Sequence, residues 1–170
     1  MKKHVFLLLC LALCLILAAC KSTGQPSEGD EAMYTQTEQE VSLINENSNL
    51  LSCVLLSKAP EDAVTAQLEN IRPSGKDHYI CFPYRDGQYI TSINLVSEDA
   101  YVFGISVGSN VEDAAGIMEE EGYTLQDTAP QDTKIYTKYY VVLTFHYDES
   151  NTITSIGVSV NDPAYQDVTY

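Results

Sequence analysis

The chain has 170 residues, and its 24 aspartates and glutamates outnumber its 9 lysines and arginines, which gives a formal charge of −15 at neutral pH. This acidity argues against nucleic acid as a partner and against docking onto an anionic lipid surface, because both need clustered basic side chains. The charge is compatible with simple solubility, or with attraction to a basic partner or to divalent cations.

The N-terminus has the layout of a secretory signal: two lysines, an apolar run from Val5 to Leu17, then small residues. The alternative, a transmembrane helix, needs roughly 20 apolar residues, and this run is shorter. The end of the run, Leu17-Ala18-Ala19-Cys20, resembles the lipobox of bacterial lipoproteins. The resemblance implies that residues 1–19 are removed and that Cys20 carries a diacylglyceryl group. Two acyl chains would anchor the protein stably outside the cytoplasm, in the cell membrane or in an outer membrane.

The residues after the cysteine predict a tether. Residues 21–37 are rich in Ser, Thr, Gly, Gln and acidic residues, with little apolar periodicity. Such a composition favours disorder. Residues 20–37 are therefore interpreted as the lipidated cysteine and a disordered linker, and residues 38–170 as the folded domain.

The folded domain is predicted to begin with two strands and a helix. Residues 41–44 and 50–56 form a hairpin around a turn at 45–49. A helix begins at Pro60, which suits a first helical position, and ends at Pro73. Its buried stripe is formed by Ala63, Val64, Leu68 and Ile71.

A hairpin, a strand and a second helix should follow. Strands at 79–84 and 89–96 flank a Gly-containing turn, and a further strand spans 101–107. Ser109-Asn110-Val111-Glu112 has the capping-box pattern, in which a hydroxyl caps the first turn, and Gly122 ends the helix.

A last hairpin, 138–147 and 152–160, resembles the earlier one. Ile90-Thr91-Ser92-Ile93 recurs as Ile153-Thr154-Ser155-Ile156, and Glu61-Asp62-Ala63 recurs as Glu112-Asp113-Ala114. Chance matches occur among common strand residues, but two colinear blocks favour duplication. The sequence therefore predicts an α+β fold of two strand-helix-strand-strand repeats, about 38–99 and 100–163. They would form an antiparallel sheet of about seven strands with two helices on one face.

The order of a Gly-containing strand end, a capped helix and a long hairpin, from Phe103 to Ile156, resembles lipoproteins of the β-lactamase-inhibitor-protein-like fold. It is also similar to the small lipoprotein of the outer-membrane barrel assembly machinery. In those families the open sheet face and its loops bind other proteins, and no catalysis is implied. No family motif position matches here, so the resemblance assigns no binding residue.

The sequence predicts no catalytic constellation, metal site or cofactor. His78 and His146, the histidines beyond the signal, have no hydrolase, metalloprotease or phosphate-binding motif around them. An enzyme would require His146 within hydrogen-bonding reach of a carboxylate in a cleft. Cys53 and Cys81 would either form a disulfide outside the cytoplasm or remain as thiols.

The tyrosines are the remaining candidates for binding. The chain has 12 tyrosines and no tryptophan, and several tyrosines fall in the two hairpins. They are either cross-strand pairs that stiffen the sheet or part of an interface, where tyrosine is enriched. The first hypothesis is a membrane-tethered, non-enzymatic module that binds an envelope protein, with Tyr84, Tyr139 and Tyr147 as anchors on the open sheet face. The alternative is a binder of small molecules or glycans, which a deep tyrosine-lined pocket would favour.

Overall fold

A computed structural model of the chain describes residues 28–51, 53–58, 78–85 and 87–165. The chain divides into two compact units, Met1–Glu31 and Ala32–Tyr170, and the described part of the first is the start of one helix. The predicted signal, Cys20 and the predicted helix between Pro60 and Pro73 lie outside the described residues.

Two α-helices and nine strands are present in these ranges. The helices are α1 (Glu28–Asn47) and α2 (Val111–Glu120). The strands are β1 (Ser48–Asn49), β2 (His78–Tyr84), β3 (Gly87–Leu95), β4 (Tyr101–Val102), β5 (Ile105–Ser106), β6 (Thr124–Leu125), β7 (Thr133–Lys138), β8 (Val141–Tyr147) and β9 (Ile153–Val160). A short 3₁₀ helix, Pro163–Tyr165, follows β9.

The strands form two antiparallel sheets. The larger sheet has the order β2-β3-β9-β8-β7-β6, and the smaller has the order β1-β4-β5. Strands β3 and β9, far apart in the chain, are neighbours in the middle of the larger sheet, where Ile93 lies opposite Val158. The predicted α+β class is confirmed.

One face of the larger sheet is buried. Side chains alternate between the two faces along each strand, and the register places the buried side chains of neighbouring strands side by side. Val158 lies between Ile93 of β3 and Leu143 of β8, and all three are buried. The buried residues of both helices belong to the same core. The opposite face of the three central strands has small polar side chains that are partly exposed, Ser92, Asn94, Thr144, Ser155 and Ser159.

Helix α1 contradicts two predictions: disorder, which is wrong over 28–37, and a strand, which is wrong over 41–44. Its buried stripe is Tyr34, Thr37, Val41 and Ile44, at the three- and four-residue spacing of one helix face. The predicted strand at 50–56 is also wrong. Its described residues, 50–51 and 53–56, are in turns and coil, and Leu51 and Leu56 have φ of +52° and +57°.

Helix α2 is confirmed, with a different cap. Asn110, not Ser109, is the N-cap residue, and its Oδ1 accepts a hydrogen bond from the Glu112 N–H at 2.8 Å. Gly122 follows the helix with φ +81°, and the Tyr123 N–H returns to the Met118 carbonyl at 2.9 Å. This left-handed glycine with a returning N–H is the Schellman end that a C-terminal glycine favours.

Of the three predicted hairpins, the second and third are confirmed as β2–β3 and β8–β9, whereas the opening one, 41–44 and 50–56, is wrong. The strand predicted at 101–107 is interrupted: Phe103 and Gly104 have φ of +50° and +78° and separate β4 from β5. Strand β7 was not predicted. It pairs with β8 across the Tyr139-Tyr140 turn, so the start predicted for the last hairpin, Lys138, is instead the end of β7.

Candidate functional site: a groove beside a tyrosine cluster

The structure does not bring the three predicted tyrosine anchors together. Tyr84, at the end of β2, is 3 % exposed. Tyr139 lies in the β7–β8 turn and is 42 % exposed. Tyr147 lies at the other end of β8 and packs against the core while partly buried. These side chains therefore do not form one patch on the open sheet face.

Tyr84 instead belongs to a tyrosine cluster, defined here as Tyr34, Tyr84, Tyr89 and Tyr140. The rings of Tyr34 and Tyr84 meet edge to face at 5.7 Å, and those of Tyr34 and Tyr140 at 5.3 Å. Tyr89 extends the cluster from Tyr84 at 6.3 Å. Edge-to-face pairs of this kind stabilise by about 0.5–1.5 kcal/mol each beyond burial. The cluster thus joins α1 to the ends of β2, β3 and β7.

Asp162 and Arg85 hold this cluster in place. The buried Asp162 carboxylate accepts hydrogen bonds from the Tyr34 hydroxyl at 2.6 Å and from the Arg85 and Ala164 N–H groups at 2.8 and 2.9 Å. The Arg85 guanidinium lies over the Tyr34 ring, 4.9 Å from its centroid. Burial, followed by the Asp162 hydrogen bond, raises the pKa of Tyr34 well above its usual range.

The Tyr84 hydroxyl differs from that of Tyr34. Its oxygen is buried, and it has no hydrogen-bond partner among the described residues. Burial raises the pKa of Tyr84; Glu38 adds to this rise and Arg85 opposes it. An unpaired buried hydroxyl costs free energy, so this residue is held by its ring contacts.

A groove of about 290 Å³ opens beside the cluster, between α1 and the β2–β3 hairpin. One wall comes from α1, a second from the coil after β1, and a third from the hairpin. The lining residues are Glu38, Val41, Ser42, Asn45, Leu55, Leu56, Tyr84, Arg85 and Tyr89.

The coil wall of the groove is fixed by hydrogen bonds on both sides. The Asn45 side chain donates to the Leu55 carbonyl at 3.1 Å and accepts from the Leu55 N–H at 3.0 Å. The Leu56 N–H donates to the Ile90 carbonyl of β3 at 2.9 Å. These bonds tie the coil to α1 and to the sheet, so the groove has rigid walls.

The rim of the groove carries an ion pair. Nη1 of Arg85 lies 3.1 Å from Oε1 of Glu38, and the two side chains are 34 % and 46 % exposed. Arginine and carboxylate therefore stand beside an apolar floor that includes Val41 and Leu55. Such a site can take an apolar group and, next to it, a charged one.

Helix α1 is held against the sheet by a second, buried ion pair. Lys138 Nζ lies 2.6 Å from Oε2 of Glu40, whose residue is 2 % exposed. The Tyr123 hydroxyl donates to the other carboxylate oxygen at 2.9 Å, and Lys138 also donates to the Glu121 carbonyl at 2.7 Å. Burial, followed by Glu40, raises the pKa of Tyr123 far above its usual range. This network fixes the helix that forms one wall of the groove.

Sequence reasoning singled out Tyr84 but missed Glu38, Arg85 and Tyr34. Tyr34 fell in the segment interpreted as a linker, Glu38 lay between that linker and the strand predicted at 41–44, and Arg85 was part of a predicted turn. Their helical spacing, Tyr34 to Glu38 to Val41, was the available signal, but polar residues between them weakened it.

The residues considered for chemistry are placed apart from the groove. His146 is exposed, and its Nδ1 shares a hydrogen bond of 3.1 Å with the Thr133 hydroxyl. Among the residues that the structure describes, no three His, Cys, Asp or Glu side chains are grouped closely enough to hold a metal ion. Cys53 is partly buried and Cys81 is buried, and the choice between a disulfide and two thiols stays a prediction.

The described part of the chain contains no helix that is both long and apolar enough to cross a membrane. Comparisons of the chain with protein-family models, with curated proteins and with solved structures found no match.

Proposed function

We propose that this protein is a membrane-tethered, non-enzymatic lipoprotein of the cell envelope whose folded domain binds another protein. The lipobox-like sequence that ends at Cys20 supports the tether. The anchor would be the lipid on Cys20, in the cell membrane or in an outer membrane, and the partner a second envelope protein.

The groove beside the tyrosine cluster is the proposed binding site, and its composition is the observation that carries the proposal. It combines two tyrosine rings and an arginine with an apolar floor. Tyrosine and arginine are the residue types, with tryptophan, that dominate binding energy at protein interfaces. Its volume is at the lower limit of pockets that enclose a small molecule, and it suits one or two side chains of a partner.

Backbone conformation supports the same location. Leu56 and Arg85, both in the groove lining, have φ of +57° and +54°. Residues other than glycine, asparagine and aspartate seldom have a positive φ, because this backbone conformation is strained for them. Strained backbone of this kind is concentrated at binding sites. The hydrogen bonds of Leu56 and Arg85 hold them in this conformation, so a partner would meet a preformed surface.

The alternative is a small molecule or a glycan, and the ring of Tyr89 favours it. This ring is partly exposed and lines the groove, where a sugar ring could stack on it. A protein partner and a small-molecule or glycan ligand differ in size, so the size of the species crosslinked at the groove distinguishes them.

We also propose that the domain arose by duplication. The two hairpins β2–β3 and β8–β9 support this, since the repeated Ile-Thr-Ser-Ile segments lie in the adjacent strands β3 and β9. Their pairing inside each hairpin differs, because Ile90 is opposite Cys81 whereas Ile153 is opposite Tyr147. Loop changes after duplication would account for this shift.

Site-specific photo-crosslinking in living cells tests the function. A photoreactive amino acid replaces Ser42, an exposed residue of the groove lining, in the full-length protein. The matched control carries it at Thr144 on the polar sheet face. We expect one protein to be captured from position 42 and not from position 144. Equal capture at both positions, or none at 42, would reject the groove as a protein-binding site, and capture of a glycan instead would favour the alternative.

The anchor is tested separately. Cys20→Ser should abolish both incorporation of a labelled fatty acid and removal of residues 1–19. Cys53→Ser, in the folded domain, is the control and should leave both unchanged. Incorporation of the fatty acid into the Cys20 variant would contradict the lipoprotein interpretation.

A further inference from the structure

We propose that the partner inserts an apolar side chain into the groove and places an adjacent lysine or arginine on Glu38, where it displaces Arg85. This inference rests on the proposed function and names the kind of partner that the groove accepts: a basic segment with an apolar anchor.

Charge complementarity is the first argument. The chain carries a formal charge of −15, and neither α1 nor α2 contains a lysine or an arginine. Of the described residues that line the groove, Arg85 alone is positively charged, and it is already bound to Glu38 and to the Tyr34 ring. An acidic segment would thus meet repulsion from the rest of the molecule, whereas a basic one would be attracted and steered toward α1.

Glu38 is also the carboxylate at the groove that can change partner. Its side chain is 46 % exposed, and an exposed ion pair contributes little to stability. Glu40, two residues further along α1, is buried against Lys138 and Tyr123 and cannot be reached without moving the helix. A basic side chain that arrives from solvent therefore meets Glu38.

Arg85 has other contacts that hold it in place when a basic side chain of the partner binds Glu38. Its guanidinium lies over the Tyr34 ring, and its backbone N–H is bound to Asp162 at 2.8 Å. These contacts do not involve Glu38, so the exchange leaves the β2–β3 turn in place. The guanidinium then remains at the rim, over the Tyr34 ring.

The floor of the groove supplies the apolar half of the site. Val41, Leu55 and Leu56 converge there with the Tyr84 and Tyr89 rings. A leucine or methionine of the partner that enters between them would be removed from water, which favours binding. A basic residue next to it in the partner would then be within reach of Glu38 on the rim.

The test uses three synthetic 12-residue peptides and the full-length protein in lipid nanodiscs. One peptide has a leucine flanked by lysines, the second has a leucine flanked by glutamates, and the third has a serine flanked by lysines. Affinity is measured by fluorescence anisotropy at physiological salt. We expect the lysine–leucine peptide to bind at least tenfold more tightly than either of the others.

Two pairs of variants localise the binding. Glu38→Gln should weaken binding of the lysine–leucine peptide at least tenfold, whereas Glu120→Gln, the same charge change on α2, should change it less than twofold. Ser42→Trp, which fills the groove, should weaken it at least tenfold, and Leu43→Trp, on the neighbouring exposed position, should not. In the unsubstituted protein, methyl resonances of Val41 and Leu55 should shift on titration while those of Val142, on the polar sheet face, stay unchanged.

Several outcomes would overturn the inference: no binding of the lysine–leucine peptide, equal binding of the glutamate peptide, equal effects of Glu38→Gln and Glu120→Gln, or methyl shifts away from the groove. None of these outcomes alters the crosslinking result at Ser42. If crosslinking captures a protein whose contact segment is acidic, the proposed function stands and this inference fails. If crosslinking shows no groove-specific capture, the proposed function itself fails.

Discussion

Replacing Lys138 with methionine should destabilise the domain by about 3 kcal/mol. The substitution keeps the apolar part of the side chain but leaves the Glu40 carboxylate, 2 % exposed, with only the Tyr123 hydroxyl as a described hydrogen-bond partner. Breaking a buried pair by removing one member costs about 3–5 kcal/mol. The lower end applies because the Lys138 side chain is 20 % exposed, so that water reaches the site.

The double variant, Lys138→Met with Glu40→Met, tests whether the two charged side chains act together. Removing both charges eliminates the uncompensated carboxylate, and well-packed apolar replacements of a buried pair are often neutral. The remaining cost is the Tyr123 hydroxyl, left without its acceptor, at about 1–2 kcal/mol. The double variant should therefore be more stable than Lys138→Met alone, with a coupling free energy of at least about 2 kcal/mol.

Urea unfolding of the full-length protein in mild detergent, followed by far-UV circular dichroism, measures these free energies. Lys134→Met is the matched control, since Lys134 pairs at 2.9 Å with Glu112, whose side chain is 64 % exposed, and it should cost less than about 1 kcal/mol. Equal losses in Lys138→Met and Lys134→Met, or additive losses in the double variant, would refute the reasoning that the Glu40–Lys138 pair acts as one buried unit.

Three further expectations concern stability. Tyr136→Phe removes a buried hydroxyl that has no described partner and should stabilise the domain by about 1 kcal/mol in the same urea assay; a loss of stability would mean that the hydroxyl is satisfied. Asn110→Ala should cost about 1 kcal/mol and speed amide exchange at Glu112, whose N–H it caps, whereas unchanged exchange would argue against the cap. Because burial raises the pKa of Tyr123 in the folded state, stability should be fully present below the unfolded value near pH 10 and fall as the pH rises above it. The urea midpoint should drop between pH 8 and pH 10.5, less so in Tyr123→Phe, and an equal drop in both proteins would assign the effect elsewhere.

The elements that sequence reasoning found are those whose signals are local. The β2–β3 and β8–β9 hairpins were predicted from alternation, and α2 from apolar spacing with a glycine at its end. Even there the cap was assigned to Ser109 rather than Asn110, because both residue types are good caps and stand next to each other.

Helix α1 was missed for a physical reason. Its buried stripe consists of a tyrosine, a threonine, a glutamate, a valine and an isoleucine. The polar residues Thr37 and Glu40 therefore break the apolar periodicity. Those two polar residues are buried because their partners come from afar: Thr37 accepts a hydrogen bond from the Tyr140 N–H, and Glu40 pairs with Lys138. Partners about a hundred residues distant leave no mark on a local pattern.

The groove could not be predicted for the same reason. Its walls come from α1, from the coil at Leu55 and from the β2–β3 turn, and a wrong assignment for any one of them removes the site. Tyr84 lines the groove, but sequence reasoning placed it on the open sheet face, because its neighbour in the cluster, Tyr34, belonged to a segment interpreted as a linker.

The place of β9 at the centre of the larger sheet has a consequence for the order of folding. The β2–β3 and β8–β9 hairpins can each form from contacts close in sequence. The sheet is joined only when β9 pairs with β3, which lies some 65 residues earlier in the chain. Residues 92–95 of β3 pair there with residues 156–159 of β9. Closing such a loop is slow relative to local pairing. The sheet therefore cannot be completed until residue 160 has left the ribosome, and it stays incomplete for most of the chain's synthesis.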